Sequence, residues 1–250
     1  MFHGERFGVS LSEKSAGRNV PRGTERKVKD GDTREKSEVA VFSILKAGLE
    51  PLELKVPTES TSQLTALVLL LDLWAPKINL TGHRNPESMA SRLVLDAAAL
   101  AAKVPELRAA RSLADLGTGA GFPGLPLAIL FPQLEVYLVD SRKKRNHFQR
   151  EARRRLDLKN VHPVLGRSDE VDQVKCDCVI AQAMTRPDEA LRLMSQWAAP
   201  GSTLILPASD AAKRPREPGD FKTPELREYH VPGTDIDRRL WILKSDISEA

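Results

Sequence analysis

From Ser112 onward the chain alternates short apolar runs with amphipathic stretches. The first run leads directly into the glycine loop Ala114-Asp115-Leu116-Gly117-Thr118-Gly119-Ala120-Gly121-Phe122-Pro123-Gly124. Such alternation builds a mostly parallel sheet with helices on both faces. Strands are predicted at 112–116, 135–140, 161–165, 178–181 and 202–206, with helices over 123–131, 142–157 and 187–198. Two further apolar stretches, 226–231 and 239–243, have no helix between them and read as a closing antiparallel hairpin, which brings the sheet to seven strands.

This core takes residues 111–250, and a helical layer is predicted over 38–110. One short helix covers 39–49. A second covers 60–75, where Leu64, Leu67, Val68, Leu71 and Trp74 keep the helical period and Pro76 stops it. A third opens at Asn85-Pro86, a cap followed by proline, and runs to about residue 102. Residues 1–37 lack an apolar period and are expected to form a flexible charged tail.

The spacing of the loop discriminates between ligands. A dinucleotide fingerprint needs Gly where Phe122 stands, and a phosphate loop begun at Gly119 would need Lys and Ser/Thr where Leu125 and Pro126 stand. What remains is G-x-G-x-G, with Asp115 ahead of it and Asp140 at the end of the next strand, 19 positions beyond Gly121. An acid at that distance accepts hydrogen bonds from ribose hydroxyls. A ligand with a ribose but no pyrophosphate, such as S-adenosylmethionine, fits. The competing reading is a glycine turn that only permits close strand-to-helix packing.

Composition narrows the class. Among 250 residues, 41% are hydrophobic and 29% charged, as in ordinary globular proteins. The longest apolar runs, 66–71 and 97–102, fall far short of the ~18 residues of a membrane span. The start of the chain lacks a secretory apolar region, so a cytoplasmic protein with reduced thiols is expected. Cys176 and Cys178 are read as buried thiols on one strand face, and the five histidines are scattered, so no metal site is indicated.

The net charge of +4 is unevenly distributed. Residues 1–37 carry +3, and Arg142 to Arg155 carry +7, which leaves −6 on the remainder. Arg142, Lys143, Lys144, Arg145, Arg150, Arg153 and Arg154 are therefore candidate RNA-binding residues, on a helix whose apolar face is Phe148, Ala152 and Leu156. A basic run alone is more often a solvated face; beside a methyl-donor pocket it points to nucleic acid.

Several stretches closely resemble one family. Asn79-Leu80-Thr81, Arg92, Leu95-Asp96, the loop from Asp115 through Gly124-Leu125-Pro126-Leu127-Ala128-Ile129, and Leu138-Val139-Asp140-Ser141-Arg142-Lys143-Lys144-Arg145 are similar to the bacterial small-subunit ribosomal RNA guanine-N7 methyltransferases, RsmG or GidB. The resemblance covers roughly residues 40–245. It implies a class I methyltransferase fold, a Rossmann-like sheet with an N-terminal helical cap. It also implies S-adenosylmethionine as donor and 16S ribosomal RNA or the small ribosomal subunit as acceptor; apart from the resemblance, no membrane partner and a monomer are expected. The family's cofactor contacts carry over to Gly117, Phe122, Ser168 and Asp169; together with Asp115, Thr118, Gly119, Gly121 and Asp140 of the loop-and-acid pattern, and Gln182, these are the candidate cofactor-binding residues. Ser168-Asp169 also reads as a helix N-cap.

The chain departs from the family at four places. Gln182 stands for an Arg, Pro207-Ala208 for Lys-Gly, Arg238-Arg239 for Arg-His and Arg92-Leu93 for Arg-His. A non-catalytic RNA- or ribosome-binding relative is accordingly the alternative function. No catalytic side chain is assigned, because N7 of guanine already carries a free lone pair.

Overall fold

The computed structural model describes residues 22–250 except 182–185, 209–213, 220 and 247–250, with side chains described from residue 34. The chain separates into two units, Met1–Lys36 and Ser37–Ala250.

Helix α1 spans Arg22–Leu49. It begins well inside the stretch expected to be a tail, whose residues 1–21 lie outside the described ones. The physical reason is charge spacing. Acids precede bases by four positions at 25/29, 30/34 and 32/36, the order that supports a polar helix without an apolar face. In the second unit, Val41 and Leu45 bring α1 into the core.

Helix α2 spans Ser60–Ile78 and buries Leu64, Leu67, Val68 and Leu71. Pro76 lies inside it and does not stop it. Proline removes one hydrogen bond here, and the helix closes three residues later, where Asn79 adopts a left-handed conformation and its N–H donates to the Ala75 carbonyl. The third predicted helix is interrupted: α3 (Pro86–Met89), a π-helical turn over Ala90–Val94, then α4 (Leu95–Lys103). Asn85 caps it as expected, its Oδ1 accepting from the Ser88 N–H at 2.8 Å. A short α5 (Pro105–Ala109) was not legible in the sequence.

The sheet runs β1 (Ser112–Leu116), β2 (Glu135–Asp140), β3 (Val161–Leu165), β4 (Cys176–Ala181), β5 (Ala198–Ala208), β6 (Glu225–His230) and β7 (Asp237–Lys244), in spatial order β3-β2-β1-β4-β5-β7-β6. All neighbours are parallel except β7, which pairs antiparallel with both β5 and β6. This is the Rossmann-like sheet of class I methyltransferases, closed by the predicted hairpin. Helices α6 (Gly124–Leu130), α7 (Lys143–Arg155) and α8 (Pro187–Ser195) connect the parallel strands.

Strand residues alternate between two cores, as the two-residue period of a pleated strand requires. In β1, Leu113 joins the core shared with α2, α4, α6 and α7, while Ala114 and Leu116 join the one built on α8 and Trp197. The cysteines break the expected pattern. A register shift between Cys176 and Cys178 sends them into different cores, so they do not share a strand face. Both thiols are free and buried, and burial pushes Cys176 up to about 12. Among the described residues, no helix is long and apolar enough to cross a membrane.

Candidate active site

The strand order reverses direction between β1 and β4, and ligands of open parallel sheets bind outside the carboxyl ends of strands at such a point. The glycine loop leaves β1 there. Gly117 and Thr118 donate their N–H groups to the Val139 carbonyl at 2.8 and 3.2 Å, which fastens the loop across the end of β2. At Gly121 φ is +90°, and a Cβ would stand 2.5 Å from Leu125 Cδ1, so only glycine is accommodated.

Asp115 lies beneath this loop. It is fully buried, and its Oδ2 accepts from Thr118 Oγ1 at 2.5 Å and from the Gly124 N–H at 2.9 Å. One carboxylate thereby brackets both ends of the loop. Among the described residues its Oδ1 has no hydrogen-bond partner. Burial, reinforced by the Asp140 charge and opposed by those two hydrogen bonds, raises its pKa from 3.8 to about 7. Asp115, expected as a cofactor contact, ties the loop from below, because the loop folds over the acid.

Asp140 stands in the cleft itself. Its Oδ1 accepts from the Arg142 N–H at 2.8 Å, and its Oδ2 accepts from the Gly119 N–H at 3.0 Å and from Arg145 Nη1 at 3.2 Å. Around it opens a cavity of about 410 Å³, to which Gly117, Gly166, Ser168 and Asp169 contribute from the ends of β1 and β3. Trp197 Nε1 donates to the Ser168 carbonyl at 2.9 Å and fixes that segment. The Arg167 guanidinium, hydrogen-bonded to Asp169, holds the Asp169 carboxyl below its ordinary range. Glu189 and Leu193 of α8 complete the wall. These groups fit the expected cofactor: bare loop backbone, an acid for a ribose and a polar segment at the end of β3.

Arg142 and Arg145 line this same cleft, at the end of the basic helix nearest the loop. Further along that helix, Arg154 and Arg155 pair with Glu151, while Arg150 Nε donates to Asn146 Oδ1 at 3.0 Å. Lys143, Lys144 and Arg153 are exposed and make no ion pair among the described residues.

A second cavity, of about 310 Å³, lies toward the ends of β4 and β5 and the closing hairpin. Phe122 and Pro123 line it, so the expected cofactor residue Phe122 contributes to this side. Here Tyr229 Oη donates to Asp96 Oδ1 at 2.7 Å and Arg238 Nε to Asp96 Oδ2 at 3.0 Å. Gln182 lies outside the described residues.

A sequence profile of the family described as rRNA small subunit methyltransferase G (GidB) matches residues 60–218. The protein named Ribosomal RNA small subunit methyltransferase G of Chromohalobacter salexigens is 39% identical over 202 residues, covering 80% of this chain and 95% of its own. The protein of that name from Xanthomonas oryzae pv. oryzae is 33% identical over 210 residues, with 82% and 95% covered. This chain belongs to the ribosomal RNA small subunit methyltransferase G family. The putative methyltransferase yhhF of Escherichia coli has a TM-score of 0.48 at 14% identity, covering 62% of this chain and 87% of that one.

Set against the methyltransferase G pattern, the departures of this chain converge. Leu93, Pro207, Ala208 and Arg239 all line the second cavity, and none lines the cleft around Asp140, while Gln182 lies outside the described residues. The Asp96–Tyr229–Arg238 cluster escaped the sequence reading as a unit. Asp96 is more than 130 positions from Tyr229 and from Arg238, and the local signals were Asp96 in Leu95-Asp96 and Arg238 in Arg238-Arg239.

Proposed function

We propose that this chain transfers a methyl group from S-adenosylmethionine to N7 of a guanine in 16S ribosomal RNA, as bare RNA or within the small subunit, and works as a cytoplasmic monomer. The observation that carries this reading is the Asp140 carboxylate, 4% exposed and opening into the cleft beside Gly117, in a chain of the methyltransferase G family.

Bound in the cleft, S-adenosylmethionine supplies a methyl group on an electrophilic sulfonium. Asp140 accepts the ribose hydroxyls, the Gly117–Gly121 backbone lets the ligand approach, and Ser168 and Asp169 face the adenine. The N7 lone pair needs no general base, so the protein contributes alignment. Lys143, Lys144 and Arg153 on α7 hold RNA phosphates, which gives affinity without base specificity and with strong salt dependence.

The test is calorimetric titration with S-adenosylmethionine, followed by methyl transfer to unmodified 30S particles and bare 16S RNA. Binding with transfer to N7 of a guanine supports the reading. A folded sample that binds no cofactor overturns it and favours the non-catalytic RNA- or ribosome-binding relative. What favours that alternative is the second cavity, where Leu93 and Pro207 occupy positions that are cationic or polar in the family pattern.

A further inference from the structure

The second cavity holds a combination unsuited to binding phosphate alone. Arg92, Arg238 and Arg239 bring positive charge to it, yet Asp96 sits among them with its side chain only 13% exposed. A carboxylate repels an RNA backbone, so it calls for a ligand that donates hydrogen bonds. The surrounding walls suit a flat ring: Phe122 and Tyr229 are aromatic, and Leu100 and Ile180 are aliphatic.

The carboxylate is oriented before any ligand arrives. Tyr229 Oη and Arg238 Nε each take one of its oxygens, at 2.7 and 3.0 Å. Burial and the Asp96 charge push the Tyr229 hydroxyl up, so it remains a donor. Each carboxylate oxygen accepts two hydrogen bonds, so one lone pair on each remains. The π-helical turn Ala90–Val94 ends two residues before Asp96; such turns shift the facing of the residues after them.

Two parallel acceptors match two adjacent donors. Among the four RNA bases, only guanine presents a ring N–H beside an exocyclic amino group on its Watson–Crick edge, whereas adenine and cytosine offer an amino group next to a ring acceptor. We infer that Asp96 reads the N1–H and 2-amino groups of the acceptor guanine in this cavity and so selects the base that is methylated. This rests on the methyltransferase reading above. It also accounts for the choice of atom, since N7 lies on the ring edge opposite N1 and the 2-amino group. With that edge held on Asp96, N7 is turned away from α4.

The experiment compares guanosine with inosine, which lacks the 2-amino group. The RNA carries one or the other at the methylated position, made by splinted ligation and presented in whichever form the wild type accepts. Wild-type kcat/KM is expected to fall about tenfold or more for inosine, as for loss of one base-edge contact. Asp96→Asn is expected to lose activity on guanosine and to show no further loss on inosine. A wild type that treats both alike overturns the inference. So does an Asp96→Asn variant that is slower but still prefers guanosine, because that is a purely structural role. Should Asp96→Asn fold poorly, Tyr229→Phe keeps the carboxylate and is expected to retain the preference. Saturation-transfer NMR with guanosine and inosine 5′-monophosphates on the full chain reads the cavity without catalysis. Preference for guanosine in the absence of transfer supports the inference while the methyltransferase reading fails. Transfer without preference does the reverse.

Discussion

Arg145 Nη1 stands 3.2 Å from Asp140 Oδ2, so a cation of α7 reaches into the cleft and rests on the acid that would hold a ribose. The Gly119 N–H donates to that same oxygen at 3.0 Å. Asp140 therefore meets its ligand with both oxygens partly engaged, and Arg145 is the partner able to swing away, since Gly119 belongs to the fixed loop.

Removing that guanidinium frees a lone pair and takes one positive charge from a cleft that receives a sulfonium. Arg145→Ala is expected to tighten S-adenosylmethionine binding by roughly two- to tenfold, as for loss of one partly solvated like charge. Asp140→Asn is expected to weaken it by more than tenfold, because an amide cannot match a carboxylate as acceptor. Calorimetry on both variants checks the pair; weaker binding by Arg145→Ala would mean that the arginine holds the ligand.

Asp115 makes the fold sensitive to pH. In the unfolded chain its carboxyl ionises near 3.8, while in the fold it keeps its proton until about 7. The folded state therefore binds more protons between those values, and stability falls as pH rises through that window. A shift of about three units sets a ceiling of about 4 kcal/mol. Asp115→Asn removes the titration. The unfolding free energy of wild type relative to the variant, from urea denaturation at pH 5 and pH 8, should drop by about 1–4 kcal/mol. A constant difference would show that Asp115 is ionised throughout.

Much of this architecture is legible in sequence, and what was missed has definite causes. The run Ser112–Leu116 declares itself because a strand buried on both faces has no polar alternation to confuse its ends, and the edge strand Val161–Leu165, only partly buried, is marked by its β-branched residues. Asp140 was legible as a cleft residue because it follows the loop at a fixed separation. Asp115 was not distinguishable as a bracket, since an acid before a glycine loop looks the same whether it faces a ligand or lies under the turn. The Arg145–Asp140 pair was not legible, because a run of basic residues reads as one face although a helix turns its residues through all directions. The Asp96–Tyr229–Arg238 cluster depends on pairing between α4 and the closing hairpin, and the local signals at Asp96 and Arg238 do not show that the two meet.

On α7, the unpaired cations and those held by Glu151 should differ in effect. Replacing Lys143, Lys144 and Arg153 together by Ala is expected to reduce the salt dependence of RNA binding by a slope of about 2–3, one condensed counterion per lost phosphate contact. Cofactor affinity should not change, since none of the three lines the cleft. Arg154→Ala should have less effect on RNA, because Glu151 already holds that guanidinium through two hydrogen bonds. Filter binding across a salt series measures both.

Trp197 links the second core to the cofactor cleft. The residue is fully buried against α8 and the sheet, and its indole N–H donates to the Ser168 carbonyl at 2.9 Å. Gln173 Nε2 donates to that carbonyl at 3.2 Å, so the oxygen keeps one partner when the indole is lost. Trp197→Phe removes the donor and part of the ring volume and is expected to cost about 1–3 kcal/mol of stability. Because Ser168 lines the cleft, loosening its anchor should also weaken S-adenosylmethionine binding. Gln173→Ala removes the more exposed donor and leaves the core packed, so it should affect affinity less and stability hardly at all. Urea unfolding and calorimetry on the two variants separate the contributions. If Trp197→Phe lost stability at unchanged affinity, the Ser168 segment would be held from the strand side, by β3 and the Gly166 turn, without need of the indole.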